Sequence, residues 1–234
     1  MESTDQRVRK MMDNLSHAEI PGYKKSEAIT QGFPLELEAE IHKLGAMKPQ
    51  TEGTYYSTNL PGTLIKTGNP TDLALGEEGF FVVVGPWGEG YTRDGRFILD
   101  KDGHLVSVAG NYPVMGNGGP IVVAPGAKID ITQQGEIKVD NVVVDKIQVV
   151  NPKNTTNMES INGSIFKKSD AFMEVTEVQN PRVIQGYIES SNVDMMSEIM
   201  EMIYLERTYN LNTKIISSRD GNLARAMDLG KPTQ

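Results

Sequence analysis

Apolar positions along the chain follow two different periods. Near the start, Val8, Met11, Met12 and Leu15 recur at three- and four-residue steps, which places them on one stripe of a helix. Pro21-Gly22 is the stop signal for that helix. Toward the end, Met195, Ile199, Met202, Leu205, Tyr209, Asn212 and Ile216 repeat the same spacing, with Ile203 beside them and Leu223 and Ala226 continuing the stripe. Ser191 with Asp194 three residues on reads as a capping-box-like start, and Gly230 and Pro232 as the end. The pattern predicts a helix of about 35 residues, or roughly 50 Å. A helix that long needs a partner along its length, and the N-terminal stripe is the obvious one. A coiled-coil pairing of the two ends is therefore expected.

Between the ends the pattern shortens to strand-length runs. Phe80-Phe81-Val82-Val83-Val84 is bounded by Gly79 and Gly85-Pro86, and Asp94-Gly95 and Asp102-Gly103 read as hairpin turns. Ile121-Val122-Val123, Ile129-Asp130-Ile131, Ile137-Lys138-Val139 and Val142-Val143-Val144 follow, separated by Pro125-Gly126, Gln134-Gly135 and Asp140-Asn141. This spacing predicts a small β-barrel or sandwich over residues 70–150. Residues 23–69 and 151–187 read as extended connectors with some strand. Residues 1–22 and 188–234 form the terminal helical part. The fold class is mainly β with terminal α-helices.

Charge and composition narrow the function. The chain has 234 residues and a net charge of −8. Residues 1–30 carry five basic and five acidic side chains and residues 186–234 five and seven, so most of the negative charge lies in the middle. Near-neutral ends can pack in bundles, while an acidic module suits a solvated outer surface. The acidic balance argues against a nucleic-acid partner. Cysteine is absent and there are three histidines, His17, His42 and His104, so no thiolate or multi-histidine metal site is expected. No nucleophile elbow, phosphate loop or dinucleotide motif is present, and neither catalysis, a cofactor nor a small-molecule substrate is expected. Asp100-Lys101-Asp102-Gly103 is a partial calcium-loop pattern that reads as a hairpin turn. Asp94 with Arg93 and Arg96 reads as a solvated turn rather than an anion site. The N-terminal residues show no cleavable-signal pattern. Met195, Met196, Met200 and Met202 suit an adaptable helix–helix interface, because methionine fills irregular gaps.

Several ordered segments are also familiar. Thr67-Gly68-Asn69-Pro70-Thr71-Asp72-Leu73-Ala74 precedes Gly79-Phe80-Phe81-Val82-Val83. Tyr91-Thr92-Arg93-Asp94-Gly95-Arg96-Phe97 runs on to Leu105-Val106. Asp13-Asn14-Leu15-Ser16 with Ile20-Pro21-Gly22-Tyr23-Lys24, and Gln185-Gly186-Tyr187-Ile188-Glu189-Ser190-Ser191-Asn192-Val193-Asp194, stand at the two ends. Together these resemble the flagellar basal-body rod and hook proteins over nearly the whole chain. Pro113-Val114-Met115-Gly116 with Gly118-Gly119-Pro120-Ile121 looks more like the proximal than the distal rod branch. One departure is at the start, where family members usually begin about ten residues earlier.

The resemblance implies a helical tube whose subunits pair their terminal helices around an export channel and face their β modules outward. It implies contacts with further copies and with other rod proteins. It also implies passage through the flagellar type III export apparatus, without a cleaved signal, to a periplasmic rod. The expected interface residues are those of the two stripes: Val8, Met11, Met12, Leu15, Met195, Ile199, Met202, Ile203, Tyr209 and Ile216. The alternatives are a distal rod or hook-type subunit, or a cell-wall-binding β module using Trp87 and Tyr91 as an aromatic platform.

Overall fold

The structure is a computed structural model, and it describes residues 2–28, 55–57, 60–124, 126–153, 158–168 and 174–229. At its centre lies the strand Phe80–Gly85, in a six-stranded antiparallel sheet. Its strand order is Met158–Ser160, Ile165–Lys168, Gly88–Thr92, Phe80–Gly85, Val149–Pro152 and Val175–Glu177. Phe81 and Val83 point into a core with Leu73, Phe97, Val114, Ile121, Ile137 and Val149. Phe80 and Val82 point the other way, into a second cluster with Tyr91, Val150 and Phe166. Burial on both faces explains why this run is continuously apolar where a half-exposed strand would alternate.

Of the sequence-predicted barrel or sandwich, the closed barrel does not form. Among the described residues no sheet closes on itself; the six-stranded sheet is open, and smaller ladders gather around its inner face. The commonest pairing device is a local turn. Ile129–Ile131, Glu136–Val139 and Val142–Lys146 form a three-stranded meander through Gln134-Gly135 and Asp140-Asn141. Asp140 and Asn141 both take positive φ, at 50° and 68°, as a tight two-residue hairpin turn requires. Asp102-Gly103 likewise joins Phe97–Leu99 to Leu105–Ser107. Asp100 Oδ1 braces that turn by accepting from the Asp102 and His104 amides.

Asp94-Gly95 behaves differently from the expectation. The strands on either side of it do not pair: Gly88–Thr92 stays in the main sheet and Phe97–Leu99 leaves for the smaller one. The segment is a buried crossover, and Gly95 is there because an added Cβ would meet the Leu73 carbonyl oxygen at 1.5 Å. Ile121-Val122-Val123 forms only a bridge, His104 to Val122, and no strand. Pro125 lies outside the described residues.

Helix α1 spans Glu2–Ser16 and helix α2 Met195–Leu229. By length α1 is about 22 Å and α2 about 52 Å. The start of α2 is capped by Asp194, whose Oδ1 accepts from the Met196 and Ser197 amides, and not by Ser191. Where the helices meet, Met11, Glu198 and Leu205 are buried, and Arg7 bridges Glu201 at 2.9 Å. Gly230 and Pro232, the expected stop, lie outside the described residues.

Candidate functional site

Two ladders carry the chain between the helices and the sheet. Leu64–Lys66 pairs with Tyr187–Glu189, and Leu73–Leu75 with Val183–Gln185. At the helix end of this ribbon the N-terminal, central and C-terminal segments converge on one carboxylate. Glu189, 1% exposed, accepts from Lys24 Nζ at 2.6 Å and the Gly62 amide at 2.8 Å through Oε1. Its Oε2 accepts from the Arg93 guanidinium at 2.9 Å. Lys24 also donates to the Leu60 carbonyl and Arg93 to the Glu77 carbonyl, and the Arg93 guanidinium stands 5.6 Å from the Phe80 ring centre. Such multiple satisfaction is what a buried ion cluster needs to offset its desolvation. Burial pushes the Lys24 ammonium below its ordinary value despite the pull of Glu189, and does the same to Arg93.

Asp94 forms the next layer. It is fully buried and held bidentately by Arg96 at 3.0 and 2.8 Å, so the solvated turn expected here is a closed ion pair. Gly22 is pressed on the same crossover. Its amide donates to the Glu189 carbonyl, its φ is +71°, and an added Cβ would lie 2.3 Å from the Arg93 carbonyl carbon and the Asp94 nitrogen.

A second polar layer ties the helices to this base. Asn14 accepts from the Tyr23 hydroxyl at 3.1 Å and the Ser26 amide at 3.0 Å, and its amide group donates to the Ser26 carbonyl. Asn192 accepts from the Lys25 amide at 2.7 Å and donates to the Leu60 carbonyl. Lys25 bridges Glu198 at 2.7 Å. Burial pulls the Lys25 ammonium down, but the Glu198 and Glu27 contacts outweigh it and the net shift is upward. Burial, aided by Asp13, pushes Tyr23 up to about 12. His17 stacks on Tyr23, with ring centres 5.1 Å apart, and sits against Gly163 of the β module.

The residues singled out from the sequence fall into three groups. Thr92, Arg93, Asp94, Gly95, Asn192 and Val193 lie in or beside this cluster, and Ser191 accepts from the Val193 amide. Gly79, Phe80 and Phe81 form the adjoining sheet, while Gly68, Asn69 and Pro70 lie exposed in the middle of the ribbon, between its two ladders. Among the helix residues, Met11 is buried, and Val8, Leu15 and Met202 are half-buried. Met12, Met195, Ile199, Ile203 and Tyr209 are exposed. The side chain of Ile216 lies outside what is described. Met196 and Met200 of the methionine cluster are exposed, and they continue into a line that sequence reasoning missed: Tyr204, Leu211 and Ile215. Its four- and seven-residue spacing was available in the sequence. Tyr91 is 2% exposed, and Trp87 stands edge-on to Tyr112 at 4.7 Å, so the two proposed platform rings are not displayed together.

A cavity of about 10 Å³ beside Lys24 and Arg93 has room for about one water. What this geometry does is mechanical: it fixes both chain ends, through buried charge, to one edge of a β module. That is the layout of an axial structural subunit, with a helical part made from both termini and a β module inserted between them.

Comparison with known proteins places it. Residues 184–229 match the family described as flagellar basal body rod FlgEFG protein C-terminal, and residues 74–139 match the flagellar hook protein FlgE/F/G D1 domain. The flagellar basal-body rod protein FlgF of Escherichia coli (strain K12) is 31% identical over 231 residues, covering 92% of this chain and 89% of that protein. FlgF of Salmonella typhimurium is 30% identical, with 92% and 89% covered. FlgG of Buchnera aphidicola subsp. Acyrthosiphon pisum is 28% identical, with 93% and 91% covered. The chain belongs to the flagellar basal-body rod protein family and is a structural rod subunit.

Proposed function

We propose that the subunit assembles helically with copies of itself and with other rod proteins, and that the assembly transmits torque while lining the export channel. The observation that carries this reading is the apolar surface that α2 leaves in solvent. Met196, Ile199, Met200, Ile203, Tyr204 and Leu211 are each 38–69% exposed along a helix more than twice the length of α1. A contiguous apolar line on an ordered helix is a surface for another helix. Val8, Met11, Met12 and Leu15, with Met195, Met202, Tyr209 and Ile216, complete the interface in a coiled coil of the two ends. Head-to-tail contacts that do not close on themselves generate a tube.

In this reading residues 1–22 and 188–234 form the tube wall, 23–69 and 151–187 connect, and 70–150 form the outward β module. The signature residues Gly68, Asn69, Pro70, Gly79, Phe80, Phe81, Thr92, Arg93, Asp94, Gly95, Ser191, Asn192 and Val193 set the junction. The subunit occupies the proximal, periplasmic rod, which the Pro113–Gly116 and Gly118–Ile121 segments support. It reaches that position through the flagellar type III export apparatus without a cleaved signal. A chain lacking cysteine cannot cross-link on the way. Deletion of the subunit followed by imaging of basal bodies tests the reading: a missing or truncated rod and loss of swimming are expected, and normal rods with normal swimming refute it.

A further inference from the structure

The ribbon between helices and β module is split into two ladders at one level on both of its strands. Gly68 on one strand and Gly186 on the other both take left-handed backbone conformations, with φ of +75° and +79°. They are in direct contact, since a Cβ on Gly186 would lie 3.6 Å from the Gly68 Cα. On the helix side of this level the ladder is Leu64–Lys66 with Tyr187–Glu189, and on the module side Leu73–Leu75 with Val183–Gln185. At the level itself the Gly186 carbonyl accepts from the Thr67 and Gly68 amides. Among the described residues, 64–70 are exposed and little side-chain packing braces this stretch from outside. A two-stranded ribbon is a weak beam, and glycine on both strands removes the steric barrier to rotating φ and ψ there.

Contacts also cross that level away from the ribbon. His17 rests against Gly163, and Gly22 rests against the Arg93–Asp94 backbone. Both are close van der Waals approaches. The charged link is different. Glu189 belongs to the helix side of the ribbon, Arg93 to the β module, and their 2.9 Å bridge is buried at both ends. Lys24 pairs with Glu189 from the helix side, so this second bridge does not join the two parts.

We propose that Gly68 and Gly186 form a hinge between the helical part and the β module, and that the Arg93–Glu189 bridge is the latch that fixes its angle. The latch has two discrete states, as a switching element requires. Closed, Glu189 serves two cations; open, it keeps Lys24 as a one-to-one pair, and Arg93 turns to water or to the Glu77 carbonyl it already holds.

The absence of cysteine makes the test direct, because two introduced thiols are the only labelling sites in the full-length chain. Lys101→Cys in the β module and Glu206→Cys on α2, both exposed, take spin labels. Double electron–electron resonance then reads the distance distribution between the two parts. The parent is expected to give one narrow population. Arg93→Met removes the crossing link, leaves Lys24 and Glu189 charge-balanced, and should broaden the distribution about twofold, as opening a latched hinge does. Lys24→Met keeps the crossing link and should leave the width unchanged. Adding Gly186→Asn to Arg93→Met, a residue that tolerates left-handed φ with less freedom than glycine, should narrow the distribution again. An unchanged width in Arg93→Met with native near-ultraviolet circular dichroism overturns the latch. Equal broadening in Lys24→Met, or no narrowing with Gly186→Asn, overturns the assignment of latch and hinge to these residues. If Arg93→Met loses the native spectrum, Arg93→Lys supplies the decision. It keeps the charge but not the reach and fork of the guanidinium, and an unbroadened distribution there also overturns the proposal.

Discussion

Removal of the Glu189 carboxylate is the most severe single perturbation the structure offers. Glu189→Ala leaves Lys24 and Arg93, 1% and 4% exposed, as two buried cations without an anion, and leaves the Gly62 amide without its acceptor. Breaking a buried pair by deleting one partner costs about 3–5 kcal/mol. The two cations do not respond alike. Lys24 can relieve its cost by releasing its proton, which from an ordinary value of 10.5 requires about 5 kcal/mol at pH 7 and sets a ceiling on its share. Arg93 cannot deprotonate, but it keeps the Glu77 carbonyl and the Phe80 ring.

A loss of about 5 kcal/mol at pH 7 is expected in urea unfolding followed by circular dichroism. The pH dependence carries the sharper signature. In the variant the folded-state Lys24 value falls further below its unfolded value, so between the two the unfolded chain binds more protons and stability rises with pH. Raising the pH from 7 toward 10 should recover part of the loss, by at most about 1.4 kcal/mol per pH unit, and adding Lys24→Met should abolish that recovery. A loss below about 1 kcal/mol, or a penalty independent of pH, would show that the three groups do not share a buried site.

Other substitutions probe separate parts of the argument. Gly22→Ala places a methyl against the Arg93 and Asp94 backbone at positive φ, and should cost at least about 2 kcal/mol in the same unfolding assay. Ile203→Asp changes an exposed position, so monomer stability should move by less than about 0.5 kcal/mol while rod assembly in a complemented strain fails; intact rods would count against the α2 surface as interface. Tyr23 and Tyr91 should both ionise about 2 pH units later than a free tyrosine in an alkaline absorbance titration, and Tyr23→Phe should cut that late phase by about half. Because its folded value is raised, the Tyr23 contribution to stability is complete below pH about 10 and fades as pH climbs toward 12.

What the sequence disclosed depended on how local each signal was. The α2 helix, the Asp140-Asn141 turn and the Phe80 strand run are encoded within a few residues, and each appears where the pattern put it. Asp94-Gly95 has the composition of a hairpin turn. Its fate was decided by Arg96 closing on Asp94 and by the Leu73 carbonyl packing on Gly95, and neither contact has a local pattern. The barrel expectation failed for a related reason. Counting short strands does not say which pair, and Ile165–Lys168 and Val175–Glu177, far from the central run in sequence, take places in its sheet. The charged cluster was legible only as separate pieces. Lys24, Arg93 and Glu189 each stood inside a quoted segment, but their meeting is a property of the folded chain.

That meeting also dates the structure. Lys24 and Glu189 are separated by 165 positions, with Arg93 between them. Closing loops of this length costs entropy before any contact rewards it, and contacts between distant positions form slowly. A chain that becomes available from its N-terminus onward therefore exposes Lys24 and Arg93 as ordinary hydrated cations until Glu189 arrives. The last part of the sequence to appear supplies the carboxylate that bridges both of the first two when they are buried. The junction thus works as a completion check: a subunit truncated before Glu189 can build its β sheet, yet it has no means of setting its two ends.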